Sequence, residues 1–172
     1  DEGGPFGLQG IAGVERWLNR VWNLVLGDVT FGSENPGRAL RHLTHTTIKR
    51  VTEDFEEFRW NTAIAALMEM TNGLIQARDA GPVDRDGWEE AVQSLLLMTA
   101  PLAPHFAEEL WARTGRPYSV HTQGWPAWDP DLARQEEITL VVQVNGKVRD
   151  RIEAAADIAE GEAKELALAS AL

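Results

Sequence analysis

Residues 61–79 read NTAIAALMEMTNGLIQARD, and the apolar positions in this stretch decide the fold class. Ala63, Ile64, Leu67, Met68, Met70, Leu74 and Ile75 recur every three or four residues, which is the spacing of one helix face. Gly81-Pro82 follows, a pair that ends helices. The spacing predicts a helix from about Asn61 to Asp79, with a stripe that must be buried against other helices.

The same period extends in both directions. Upstream, Val14, Trp17, Leu18, Val21, Trp22, Leu24 and Val25 predict a helix from Ile11 to a stop at Gly27. A loop over 30–35 leads to Asn35-Pro36, read as an N-cap followed by a first-turn proline. Leu40, Leu43, Thr47, Ile48, Val51 and Phe55 then make a second helical stripe. Its acidic end, Glu53 to Glu57, opposes the helix dipole and is expected to be solvated or paired with Arg59. Downstream, Asp84 or Asp86 is the expected cap of a helix with Trp88, Val92, Leu95, Leu96 and Thr99 on its core face. Pro101 and Pro104 break that helix, because proline removes a backbone donor and clashes one turn back. A short helix from Pro104 to Arg113 follows, with Phe106, Leu110 and Trp111 inward and Gly115 as its stop.

These readings divide the chain. Residues 1–10 form a loose, Gly-rich start, and residues 11–114 form an antiparallel helical bundle with short connections. Residues 115–135, with three prolines and two tryptophans, form a packed linker. Residues 136–172 form a small, incomplete α+β unit. Glu137 to Asn145 is strand-like, Asn145-Gly146 is a strong hairpin signal, and Lys147 to Glu153 is the returning strand. Ile138, Leu140, Val142 and Val144 alternate onto one face, and a last helix starts near 158–162. One hairpin and one helix are too little for independent stability. The expected fold class is mainly α, a helical bundle followed by this truncated unit.

Composition narrows the function. The chain has 172 residues, 44 % of them hydrophobic and 25 % charged, and no cysteine. That excludes a disulfide scaffold, a thiolate metal site and a cysteine nucleophile, and suits a reducing cytosol. No apolar run reaches the roughly 18–20 residues of a membrane span. The start, Asp1-Glu2-Gly3-Gly4-Pro5, lacks the basic and apolar regions of a signal peptide and reads as a cut inside a longer protein. The net charge of −11 argues against a polyanion partner, but its distribution does not. Between Arg16 and Val51 the basic residues Arg16, Arg20, Arg38, Arg41, Lys49 and Arg50 face only Asp28 and Glu34. A second basic knot holds Lys147, Arg149 and Arg151. On composition alone these are solvated helix faces; as phosphate contacts they are the natural candidates.

Catalytic signals are sparse. His42 and His45 lie one turn apart, but zinc needs a third ligand and an enclosed pocket, so they read as a packing pair. His105, one turn before Glu108 and Glu109, has no marked nucleophile and reads as a capping or packing residue. No phosphate loop of the GxxxxGK[ST] or GxGxxG type is present. Glu53 to Glu57 and Glu89-Glu90 read as solvated faces. Of the seven tryptophans, Trp17, Trp22, Trp60, Trp88 and Trp111 fall on or beside helical stripes and read as core. Trp125 and Trp128 are expected to pin the linker to the bundle, with base stacking as the alternative.

Four segments carry a resemblance: Gly13 to Trp22 (GVERWLNRVW); Thr46 to Asp54 (TTIKRVTED) with Phe58 to Glu69 (FRWNTAIAALME); Leu95 to Trp111 (LLLMTAPLAPHFAEELW); and Trp125 to Pro130 (WPAWDP) with Val141 to Arg149 (VVQVNGKVR). In order and spacing they resemble the C-terminal portion of bacterial leucyl-tRNA synthetases. The Leu95–Trp111 type of segment is shared with isoleucyl, valyl and methionyl relatives; the VVQVNGKVR segment points to the leucyl enzymes. The resemblance implies a class Ia anticodon-binding-like bundle and the start of the family's C-terminal domain. It implies a parent enzyme that attaches leucine to tRNA(Leu) in the cytoplasm using ATP with Mg²⁺. The catalytic and editing signatures of the family lie upstream and are absent, so this chain is expected to be inactive alone, without a cofactor, metal or catalytic residue. Expected partners are tRNA(Leu) and the upstream catalytic domain, with no membrane and no DNA. The expected tRNA contacts are Arg16, Arg20, Arg38, Arg41, Lys49, Arg50, Lys147, Arg149 and Arg151, some of them diverted into ion pairs with Glu15 or Asp54. The alternatives are a module that braces the catalytic domain, and an independent enzyme built on His42, His45 or His105.

Overall fold

The structure is a computed structural model that describes residues 8–32, 37–134, 137–144, 147–155 and 160–170. It is mainly helical. The bundle consists of α1 (Leu8–Leu26), α2 (Arg38–Glu56), α3 (Trp60–Ala80), α4 (Arg85–Thr99) and α5 (Pro104–Arg113). A 3₁₀ turn (Val120–Thr122) and the four-residue α6 (Pro130–Ala133) follow. Then come β1 (Glu137–Val144), β2 (Lys147–Ala155) and α7 (Glu160–Ser170). The chain divides into two compact units, one ending at Ala133 and the other beginning at Arg134.

The apolar stripes meet in one core. Leu67, Met70 and Leu74 of α3 are fully buried with Val21 and Leu24 of α1, Ile48 and Val51 of α2, Leu95, Leu96 and Met98 of α4, and Leu110 and Trp111 of α5. Burying each such side chain contributes roughly 1.5–3 kcal/mol. Two threonines in this core satisfy themselves locally. The hydroxyls of Thr44 and Thr71 donate to the carbonyls of Leu40 (2.9 Å) and Leu67 (2.7 Å), one turn back. Thr71 also accepts from the indole N–H of Trp17 at 3.0 Å, which joins α1 to α3.

Helix directions follow from these contacts. A side chain added at Gly73 would meet Leu43, and Arg50 pairs with Glu69, so α2 and α3 run antiparallel. Trp17 meets Thr71 and Gly27 lies against Arg78, so α1 and α3 run parallel. The start of α1, the end of α2 and the start of α3 therefore share one end of the bundle.

Several boundaries differ from the sequence reading. Helix α1 begins at Leu8, so the loose segment expected over 1–10 is helical over its last three residues, and residues 1–7 lie outside the described ones. The Asn35-Pro36 cap also lies outside them; the residue before α2 is Gly37, whose φ of 64° suits glycine. Asp84, not Asp86, caps α4, accepting from the Gly87 N–H at 2.8 Å. His105 neither caps nor packs: it is exposed, and α5 has no side-chain cap.

In the second unit β1 and β2 pair antiparallel, from Glu137 opposite Ala155 to Val144 opposite Lys147. Val142 faces Asp150 and Gln143 faces Val148, so Arg149 is an extra residue in the returning strand. Asn145 and Gly146 lie outside the described residues.

Candidate nucleic-acid interface

Six expected contacts lie on α1 and α2, and their surroundings separate them. Lys49 sits 4.0 Å from Glu53 on its own helix. Arg50 reaches across to Glu69 of α3 at 2.6 Å. Arg41 lies 3.9 Å from Asp84 and 3.8 Å from Glu90. Arg38 is exposed at the start of α2 and engaged in a further interaction. The structure thus sets carboxylates beside three of the six candidates.

Arg16 and Arg20 differ. Both are exposed and lie one turn apart on α1. Arg20 donates to the side-chain carbonyl of Asn72 on α3, a neutral partner that fixes the guanidinium without cancelling its charge. Among the described residues no carboxylate pairs with Arg16 or Arg20. The pairing expected with Asp54 is not made, because Arg59 takes that carboxylate at 2.8 Å. The hydrogen bond that Arg59 Nε donates to Asp54 is the main cause that holds the Arg59 guanidinium above its usual value, with the charges of Glu57 and Asp54 adding to it. Lys147, Arg149 and Arg151 all lie on β2, with Arg149 at the irregularity in the register.

The two histidines on α2 hold the linker. His42 donates from Nδ1 to the carbonyl of Leu132 at 2.8 Å. His45, 5 % exposed, accepts the Asp129 N–H on Nδ1 at 3.0 Å, which leaves its proton on Nε2, 3.2 Å from Glu90. Trp125 adds a third attachment, its indole donating to the Thr52 hydroxyl at 2.8 Å. No group of three or more His, Cys, Asp or Glu among the described residues is arranged to hold a metal ion. Among the described residues no helix is long and apolar enough to cross a membrane.

Two features were missed in the sequence. Trp60, read as core, is 44 % exposed and belongs to an aromatic cluster with Phe55, Phe58 and Trp125. Its position at the first residue of α3, before the buried stripe begins at Ala63, is the signal that could have placed it outside. Arg113 and Arg116 stack over Trp22 and Trp111, each at 5.1 Å from the ring centre. Burial lowers the Arg116 guanidinium, and the charge of Glu89 partly offsets this.

The bundle thus carries two exposed arginines on α1, and Lys147, Arg149 and Arg151 lie on β2 of the strand pair that follows it. Residues 37–164 match the family described as the anticodon-binding domain of tRNA ligase, and the chain belongs to that family. Its curated relatives are leucine–tRNA ligases. The enzyme of Rubrobacter xylanophilus is 57 % identical over 171 residues, and that of Dehalococcoides mccartyi 48 % over 172. The enzyme of Deinococcus radiodurans is 40 % identical over 171 residues. The chain spans about 21 % of the length of each, while 98–99 % of the chain is covered. Among solved structures it is similar to the agnB2 LeuRS of Agrobacterium radiobacter K84, in a ternary complex with tRNA and LeuAMS. That likeness has a TM-score of 0.68 at 27 % identity, over 94 % of this chain and 22 % of that one.

Proposed function

We propose that this chain is the tRNA-docking part of a cytoplasmic leucine–tRNA ligase and has no catalytic activity alone. The observation that carries the reading is the exposed pair Arg16 and Arg20, which no carboxylate among the described residues pairs with, on a bundle of the anticodon-binding family. Guanidinium groups there contact phosphates, which sets the register of the tRNA body without reading its bases. Residues 11–114 supply this surface, residues 115–135 the linker, and residues 136–172 a second contact through Lys147, Arg149 and Arg151 of the hairpin. Arg38, Arg41, Lys49 and Arg50 are secondary, since neighbouring groups already engage them.

Leucine, ATP and Mg²⁺ are handled by the part of the ligase that precedes this chain. The residues here do not fit them: there is no phosphate loop in the sequence and no metal-ligand cluster among the described residues. The deciding experiment titrates the chain with tRNA(Leu) and with a tRNA of short variable arm, at two salt concentrations. Salt-sensitive binding that prefers tRNA(Leu) is expected. Absence of binding at low salt favours a bracing role for the bundle, the reading that the ion pairs of Arg41, Lys49 and Arg50 support.

A further inference from the structure

Two histidines hold the linker on α2 through hydrogen bonds that run in opposite directions, and only one of these bonds tolerates an added proton. His42 donates from Nδ1 to the Leu132 carbonyl at 2.8 Å, and an imidazolium still carries that N–H. His45 accepts the Asp129 N–H on Nδ1 at 3.0 Å, and an imidazolium has no lone pair there to accept it. What His45 holds is the start of α6. The Asp129 carbonyl accepts the Ala133 N–H at 2.9 Å, and its side chain accepts the Asp131 N–H at 2.8 Å, so Asp129 caps that helix. The four residues of α6 make a single turn, too short to persist without contacts from outside.

The surroundings of His45 offer a charged ring a different partner. Its Nε2 is buried and makes no hydrogen bond among the described residues. A Glu90 oxygen on α4 lies 3.2 Å from that nitrogen, so a ring that gains a positive charge is attracted to α4 as it loses its bond to the linker. The other charged groups around it are Arg41, one turn earlier on α2, and Asp129 itself. Arg41 lies 3.8 Å from the second Glu90 oxygen and competes for that carboxylate. Lys49, one turn later, is set against Glu53. We infer that His45 is a proton-operated switch on the linker. Neutral, it holds Asp129 and the start of α6; protonated, it pairs with Glu90 and lets them go. His42, and Trp125 through its bond to Thr52, keep their attachments in both states, so the release is confined to the stretch between Trp125 and Leu132.

Amide hydrogen exchange, read residue by residue by NMR on this chain, tests it from about pH 7.5 to about pH 5.5, the range in which imidazoles take up a proton. After correction for the intrinsic pH dependence of exchange, protection of the Asp129 and Ala133 amides is expected to fall toward acid. The fall reaches at most about tenfold per pH unit, the limit for one proton. The Leu67 amide, in the middle of α3, is expected to keep its protection, which separates local release from unfolding. The ¹⁵N shift of His45 Nδ1 is expected to move with the same midpoint. His45→Asn keeps an acceptor at that place and takes up no proton, so its Asp129 amide is expected to stay protected across the range. His42→Asn keeps a donor and is expected to leave the wild-type profile. Wild-type protection that does not change with pH overturns the inference. So does a loss shared by Leu67, a midpoint that does not follow the His45 ring, a profile that survives His45→Asn, or one that His42→Asn abolishes. The ring shift is read on the wild-type chain, so the test stands without either variant. No tRNA enters the experiment, and its result is independent of the proposed function.

Discussion

Replacing both Arg16 and Arg20 by alanine isolates the charge that no carboxylate among the described residues pairs with. Each lies on the exposed face of α1, and among the described residues Arg20 donates to the neutral Asn72 amide. Removing them therefore changes the charge presented to tRNA by two full units and opens no buried cavity. Each phosphate contact contributes about 0.9 to the slope of log affinity against log salt on a duplex polyanion, so two contacts contribute about 1.8. Between about 50 and about 200 mM salt, that share corresponds to roughly a tenfold difference in how far affinity falls. The assay is fluorescence anisotropy of labelled tRNA(Leu) across this range, for wild type, the double variant and Arg50→Ala. The double variant is expected to bind more weakly at low salt with a slope shallower by about 1.5–2. Arg50→Ala removes a cation already held 2.6 Å from Glu69 and is expected to move the slope by less than about half a unit. A double variant with the wild-type slope, or equal effects in the two variants, refutes the assignment of phosphate contacts to α1.

Three further outcomes test the fold and the linker. Leu67→Ala, at a fully buried position in the middle of α3, is expected to cost about 2–5 kcal/mol in denaturant unfolding, and a cost under about 1 kcal/mol counts against a packed core there. Asp84→Ala removes the acceptor that caps α4 and is expected to lower stability by about 0.5–2 kcal/mol, with Asp84→Asn retaining most of it. His45→Leu removes the acceptor of the Asp129 N–H, at a cost of about 0.5–1.5 kcal/mol, and is expected to speed hydrogen exchange of that amide, with His45→Asn slowing it again.

The helices were legible because each carries an uninterrupted period of apolar residues that only one face can bury. The stripe of Ala63, Leu67, Met70 and Leu74 is the buried face of α3, and Gly81 is its stop. Position along a stripe was less legible. Trp60 lies on the same period, yet it sits where the helix begins, beyond the neighbours that could cover it, and so remains exposed. The histidines show the limit from the other side. Spacing identified His42 and His45 as a packing pair, but not that they hold Leu132 and Asp129, because those partners are 90 and 84 residues away. The charged candidates were the least legible. Lys49 and Arg41 look alike in sequence to Arg16, and only the packing of α2 against α4, and of Lys49 against its own helix, sets carboxylates beside the first two.

On the proposed reading, that last distinction is how a chain with a net charge of −11 serves a polyanion. Net charge sets the far field, which salt screens within about 8 Å at physiological ionic strength. What a phosphate meets at contact is the local arrangement, and here the helices sort it. Carboxylates of α2, α3 and α4 lie against Arg41, Lys49 and Arg50, so this face offers little attraction despite its basic sequence. The exposed face of α1 carries Arg16 and Arg20 with an amide as the fixed partner. The end formed by the α2–α3 turn carries surplus acid beside exposed rings. On the proposed reading, a polyanion approaching this bundle is attracted along α1 and repelled from the end that carries the surplus acid.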